Sequence, residues 1–363
     1  MSAMTTYGSA HAGRDYGYCN ARVRGMRSRL MQMPFFEELM SAADLNRLIL
    51  LLADTDYAED IEAVILKSGR TPAAMDEAFR ENMVRTFQKV MGFLNAEAYE
   101  LVSTLLGRWD LFNIKSIIRG KHMHLAASEI EDGLYAVGVL KPVELRLLSG
   151  LDGVRAVVDT LWTWGSPYAA PLRSNLAAYE AEGDLPLLEL ALDRYYTGWA
   201  AARLSGRGSN SVLACRILGL QTDSINLLTT FRLLKSDIGD LDPQRFFLPG
   251  GQYVHEDLFL QLAALSDVDE VLDALKRTPF GPQLEEVIVR YIEENTLSVF
   301  ERALEDYVMR LALAAGRGDP LGVGVVIGYL WAKQNEVTNL RIIVKGRSVG
   351  MPTERMRREL ILV

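Results

Sequence analysis

The stretch that decides the fold is Asn335-Glu336-Val337-Thr338-Asn339-Leu340-Arg341-Ile342-Ile343-Val344-Lys345-Gly346-Arg347. Val337, Leu340 and Val344 recur at helical spacing, which predicts an amphipathic helix with Asn339 one turn after an acid. The chain carries the same pattern twice more. Asp110-Leu111-Phe112-Asn113-Ile114 leads to Ile118-Arg119, and Asp223-Ser224-Ile225-Asn226-Leu227 leads to Phe231-Arg232. The acids stand at 110, 223 and 336, equal steps of 113 residues, and acid, Asn, branched apolar residue and base keep their places each time: Asp110, Asn113, Arg119; Asp223, Asn226, Arg232; Glu336, Asn339, Lys345. Matches at four positions and two equal offsets mark a long-period repeat.

Working outward, a second element repeats. Asp44 leads to Thr55, Asp152 to Thr163 and Asp267 to Thr278, and each pair is followed by an aromatic, Tyr57, Tyr168 or Phe280. These acids predict helix N-caps, since a side-chain oxygen can accept from free backbone N–H groups of the first turn. Pro34, Pro142 and Pro352 precede acids and fit first helical turns, where a missing N–H costs nothing. Longer helices are expected within residues 61–106, 175–204 and 284–315. Alternating β-branched runs hardly occur, so the fold class is all-α. A period this long exceeds a two-helix solenoid repeat, so each unit should carry its own core. The expected domains are 1–107 (with 1–13 frayed), 108–220 and 221–363. The last piece begins a unit that the N-terminal segment could complete, which would draw the two chain ends together.

Composition bounds the function. At 363 residues the chain is long enough for two or three domains, and a net charge of −8 argues against a general nucleic-acid binder. Two stretches, 14–29 and 341–358, hold eleven of the 39 basic residues and two of the 47 acidic ones, leaving the remainder at −17. Arg22, Arg24 and Arg27 at one end and Arg341, Arg347, Arg357 and Arg358 at the other are candidates for contact with an acidic partner or lipid headgroups. Cys19 and Cys215 are too few for a disulfide framework. No secretory leader pattern is seen, and the apolar runs at 48–53 and 323–331 fall far short of the roughly 20 residues of a membrane span.

Catalytic and cofactor patterns are not found. His122 and His124 are two apart and would face different sides of a helix. His255-Glu256 lacks a second histidine, with Phe259 in its place. Gly206-Arg207-Gly208 and Gly322-Val323-Gly324 lack the third glycine of a dinucleotide fingerprint, and no Gly-Lys-Ser/Thr loop occurs. No catalytic, metal or cofactor residue is expected. His122, His255 and Asp267 are the first residues to test if the chain were an enzyme. The polar pairs at 110/113, 223/226 and 336/339 sit on one helix face and are expected to fix neighbouring backbone; a capping role is open for Asp223.

Several of these stretches carry a family resemblance. Tyr16-Gly17-Tyr18-Cys19-Asn20-Ala21-Arg22-Val23-Arg24, Phe35-Phe36-Glu37-Glu38-Leu39, Asp110 to Lys121 and Asn335 to Arg347 resemble the C subunit of the archaeal and bacterial V-type (A-type) ATPase/ATP synthases, whose eukaryotic counterpart is the d subunit. The resemblance spans residues 16 to 363, with Asp223 to Arg232 a looser copy. It implies three similar helical domains around a pseudo-threefold axis, forming a funnel. It also implies a non-catalytic socket, one copy per complex, between the central shaft (the D and F subunits) and the membrane ring of proteolipid subunits. Such a part transmits torque for proton or sodium transport from the cytoplasmic face of the plasma membrane, without a small-molecule substrate or nucleic acid. A helical adaptor outside any rotary machine is the alternative.

Overall fold

A computed structural model describes residues 16–94, 96–235 and 242–361, so the expected fraying of 1–13 and Arg14 lie outside the described residues. Among these, every regular element is helical. The chain packs as two compact units, residues 1–103 with 312–363, and residues 104–311.

The first unit begins with α1 (Gly17–Arg27), α2 (Met33–Met40), α3 (Leu45–Leu52), α4 (Ala58–Ser68) and α5 (Pro72–Met91). Pro34 opens α2 in its first turn, and the Asp44 carboxylate accepts from the Arg47 N–H at 2.8 Å to cap α3. Of the longer helices expected within residues 61–106, α4 and α5 are separated at Gly69 (φ 76°) and pack as a pair. Next comes α6 (Ala96–His122), which runs on into the second unit.

The second unit continues with α7 (Ala127–Glu131), α8 (Pro142–Gly150), α9 (Gly153–Thr163), α10 (Ala169–Glu182), α11 (Leu185–Leu204) and α12 (Ser209–Lys235). A 3-10 turn at Pro243–Phe246 leads to α13 (Glu256–Ala263), α14 (Val268–Leu275), α15 (Gly281–Glu285), α16 (Ile288–Glu294) and α17 (Ser298–Gly318). Asp267 caps α14 through the Glu270 N–H at 2.9 Å, whereas Asp152 makes no side-chain cap to α9. Phe231 stacks on Phe300 at 4.6 Å in a core that also buries Phe259 and Phe280.

The chain re-enters the first unit within α17, at Ala312, and continues with α18 (Gly324–Ser348) and α19 (Thr353–Glu359). Helix α18 packs against α1, α2, α3 and α5. It is not the amphipathic helix its pattern predicts: Val325, Tyr329, Trp331, Lys333, Glu336, Asn339 and Ile343 are all buried, so most of its circumference is core. Gly328 lets the α17 backbone come close, since a Cβ there would meet the Ala312 carbonyl oxygen at 3.1 Å.

Candidate functional site

Each repeated Asn lies on a long helix and brackets one residue of backbone. Asn113 on α6 donates to the Tyr135 carbonyl at 2.6 Å and accepts from the Tyr135 N–H at 2.8 Å. Asn226 on α12 does the same to Leu248, at 2.9 and 3.0 Å. Asn339 on α18 does it to Ile361, at 2.9 and 3.2 Å. The partner is 22 residues downstream in every case. A carboxamide carries a donor and an acceptor on separate atoms, so one side chain satisfies both groups of an irregular peptide unit buried against a helix.

The repeated acids hold the next stretch of backbone. Asp110 accepts from the Val139 and Leu140 N–H groups at 2.7 and 3.0 Å. Asp223 accepts from Gln252, Tyr253 and Val254 at 3.1, 2.9 and 2.9 Å. It lies in the interior of α12, so it is not an N-cap; Gly219 does not mark a helix start but faces Gln252, whose backbone N would lie 3.1 Å from a Cβ there. Glu336 accepts from Met31 at 2.6 Å. Met31, Val139 and Val254 each stand thirteen residues before the acids Asp44, Asp152 and Asp267. Helix α18 thus takes its backbone donor from the N-terminal segment, at the same register as the other two.

Further contacts fasten the two ends of the first unit. Asn20 donates to the Pro320 and Gly322 carbonyls at 3.2 and 3.1 Å, and Arg24 to Pro320 at 2.5 Å. Arg341 pairs with Asp76, Arg347 reaches the Ala43 carbonyl and Arg357 pairs with Glu37. Arg22 lies over the Phe93 ring. Several candidate partner-contact residues are therefore already engaged within the chain. Arg27 and Arg358 have no side-chain partner among the described residues. The repeated bases diverge: Arg119 pairs with Glu189, whereas Arg232 and Lys345 are exposed.

Glycines at a fixed distance from the acids went unread in the sequence. Gly138 and Gly251 lie 28 residues after Asp110 and Asp223, and a Cβ at either would overlap the carboxylate. That equal offset was the signal available. Leu30 stands directly before Met31 as Gly138 does before Val139, and there the acid is Glu, one methylene longer. The backbone stands off, and the longer side chain reaches it.

Lys333 was also missed. Its ammonium bonds Glu336 at 2.9 Å and sits 3.9 Å from the Tyr57 ring centroid, and the Tyr57 hydroxyl donates to the same carboxylate at 2.7 Å. Lys333 and Glu336 are 3% and 5% exposed, so the pair belongs to the core. Burial lowers the Lys333 pKa, opposed by Glu336; burial and then the Glu336 charge push Tyr57 up. Burial raises Asp110 and Asp223 to about 6, against the pull of their N–H donors.

Of the residues named for a possible enzyme, Asp267 is a cap and His122 lies 2.9 Å from the Tyr179 hydroxyl; His255 directly precedes α13. His124, just past the end of α6, has a positive φ of 55°. Among the described residues, no group of three His, Cys, Asp or Glu side chains could hold a metal.

The chain matches the family described as ATP synthase (C/AC39) subunit over residues 19–359. It belongs to that family. The C subunit of an A-type ATP synthase from Haloquadratum walsbyi is 26% identical over 352 residues, covering 96% of this chain and 99% of that protein. The A-type C subunit of Methanobrevibacter smithii is 30% identical over 346 residues, 94% and 87% of the two chains. The C subunit of a V-type ATP synthase from Deinococcus radiodurans is 27% identical over 351 residues, 95% and 91%. The chain is therefore a non-catalytic subunit of a rotary A/V-type ATP synthase, not an enzyme by itself. Among the described residues no helix is long and apolar enough to cross a membrane. Family membership sets aside the free-standing adaptor.

Proposed function

We propose that this protein is the socket that joins the rotor shaft, made of the D and F subunits, to the proteolipid ring, at the cytoplasmic face of the membrane. The observation that carries this reading is the triple bracket. A chain that builds one polar clasp three times, at a constant 113-residue step and with its first segment completing the clasp on α18, is suited to a ring-like part. Three similar domains, 1–107, 108–220 and 221–363, set around a pseudo-threefold axis as a funnel would offer such a part to a round shaft and a round ring. Torque transmission asks for rigidity, and buried two-way hydrogen bonds that tie irregular backbone to the long helices supply it. Arg27, Lys345 and Arg358 are among the basic residues with no side-chain partner among the described residues and so could meet acidic surfaces on shaft, ring or lipid.

A tagged chain recovered from membranes at low and high salt tests this. Shaft and ring proteins should co-purify, with recovery falling as salt screens the basic contacts over about 10 Å at 0.1 M. Recovery of other synthase components without D, F or the ring would sink the socket reading.

A further inference from the structure

The Glu336 bracket differs from the other two in what lies beside it. Between Tyr135, held by Asn113, and Val139, held by Asp110, the chain runs on through residues 136–138. Between Leu248 and Val254 it runs through residues 249–253. The matching residues at the third bracket, Ile361 and Met31, are not joined to each other. A cavity of about 400 Å³ opens there, bounded by both of them and by the bracket side chains Asn339 and Glu336. That volume lies in the range of ligand pockets.

The remaining wall has a definite chemistry. Met33, Phe36 and Leu313 give it an apolar floor, and Arg27 and Arg317 bring two guanidinium groups. Neither guanidinium has a hydrogen-bond or ion-pair partner among the described residues. The acid on the wall does not serve them, because Glu336 is engaged by Met31, Tyr57 and Lys333.

We propose that this cavity receives an extended acidic segment of another protein of the complex. Its backbone would occupy the interval that residues 136–138 and 249–253 fill at the other brackets. Its carboxylates would pair with Arg27 and Arg317, where a guanidinium fork gives charge-assisted bonds. A small free anion would answer the two arginines but leave the Met33, Phe36 and Leu313 floor uncovered; a peptide covers both. The inference rests on membership of the complex and not on the assignment of shaft or ring.

The test places p-benzoylphenylalanine at Met33, which lines the cavity and makes no bracket bond, in the chain assembled into the purified complex. After irradiation, cross-linked peptides are identified by mass spectrometry. The expected product joins Met33's position to an acidic stretch of another protein of the complex. Its yield should fall about tenfold or more in Arg27→Glu/Arg317→Glu, as one or two lost charge contacts imply, and return in Arg27→Lys/Arg317→Lys. If the double charge reversal lowers the melting temperature, Arg317→Glu alone, at the exposed end of α17, carries the charge test. Cross-links only to residues 1–15 or 362–363 of this chain would overturn the proposal, since the chain would then fill its own cavity. So would an absent cross-link, or one indifferent to charge reversal, in a complex that retains all its components. A complex lacking shaft and ring would instead count against the socket reading, whatever the cross-link shows.

Discussion

The brackets at Asp110 and Asp223 and the bracket at Glu336 solve one problem with different chemistry. In residues 104–311 a short carboxylate meets glycine-bearing backbone and holds two or three N–H groups. In the other unit a longer carboxylate meets one N–H, a tyrosine hydroxyl and a lysine. The residue three before each acid shows the same divergence. Gly107 lets Tyr168 reach its carbonyl at 3.0 Å, Leu220 shares an apolar core with Phe280, and Lys333 sits on Tyr57. The clasp geometry is kept while its filling varies, so the backbone position is what the repeat preserves. An ionic filling also behaves unlike a neutral one when half of it is removed.

That contrast sets the largest expected effect. Glu336→Leu strands a buried ammonium and should cost about 3–5 kcal/mol in urea unfolding of the isolated chain. Lys333→Met/Glu336→Leu should be the more stable of the two variants, because no unpaired charge remains. A double variant no better than Glu336→Leu alone would mean that the Met31 contact, and not the ion pair, dominates this bracket.

At the aspartate brackets the glycines are the sensitive points. Gly138→Ala and Gly251→Ala should each cost about 1–3 kcal/mol through overlap with the carboxylate, while Gly150→Ala, which has open space around it, should stay within about 0.5 kcal/mol. The asparagines test what the three brackets share. Asn113→Leu, Asn226→Leu and Asn339→Leu each leave a buried N–H and C=O without a partner, at about 1–3 kcal/mol. Unequal losses across the three would show that the copies are not mechanically equivalent.

The pH response should separate the brackets further. With pKa values raised to about 6, Asp110 and Asp223 bind a proton more tightly folded than unfolded. Their contribution is full below the ordinary carboxylate value of about 4 and is lost as pH rises through about 6. The urea midpoint of Asp223→Asn should accordingly vary less over that window than that of the parent chain, and carboxyl NMR titration should find both groups near 6. The smallest effect belongs to the exposed Arg357–Glu37 pair: Arg357→Ala should cost about 0–1 kcal/mol, less in high salt.

Much of this was legible in the sequence because it depends on local rules. The caps at Asp44 and Asp267 and the proline at the start of α2 follow from residues near one another in the chain, and the 113-residue step from a short local pattern written three times. The rest depends on partners far away. Lys333 looks like a solvated base on a helix until Tyr57, 276 residues earlier in the chain, is placed against it. The amphipathic reading of 335–347 fails for the same reason, since α1, α2, α3 and α5 pack around α18 and leave little of it to solvent. The capping role left open for Asp223 fails because α12 runs through it without a break, and Gly219 serves a close backbone approach within that helix.

The Met31–Glu336 contact also constrains the order of events during synthesis. Helices α1, α2, α3 and α5 leave the ribosome long before α18, and their apolar faces are built to enclose it. At about 5–20 residues per second, the roughly 300 residues between those two partners take about 15–60 s to translate. Residues 104–311 emerge in that interval, so the unit that starts first is completed last. The nascent chain must carry an unfilled socket of its own for most of its birth.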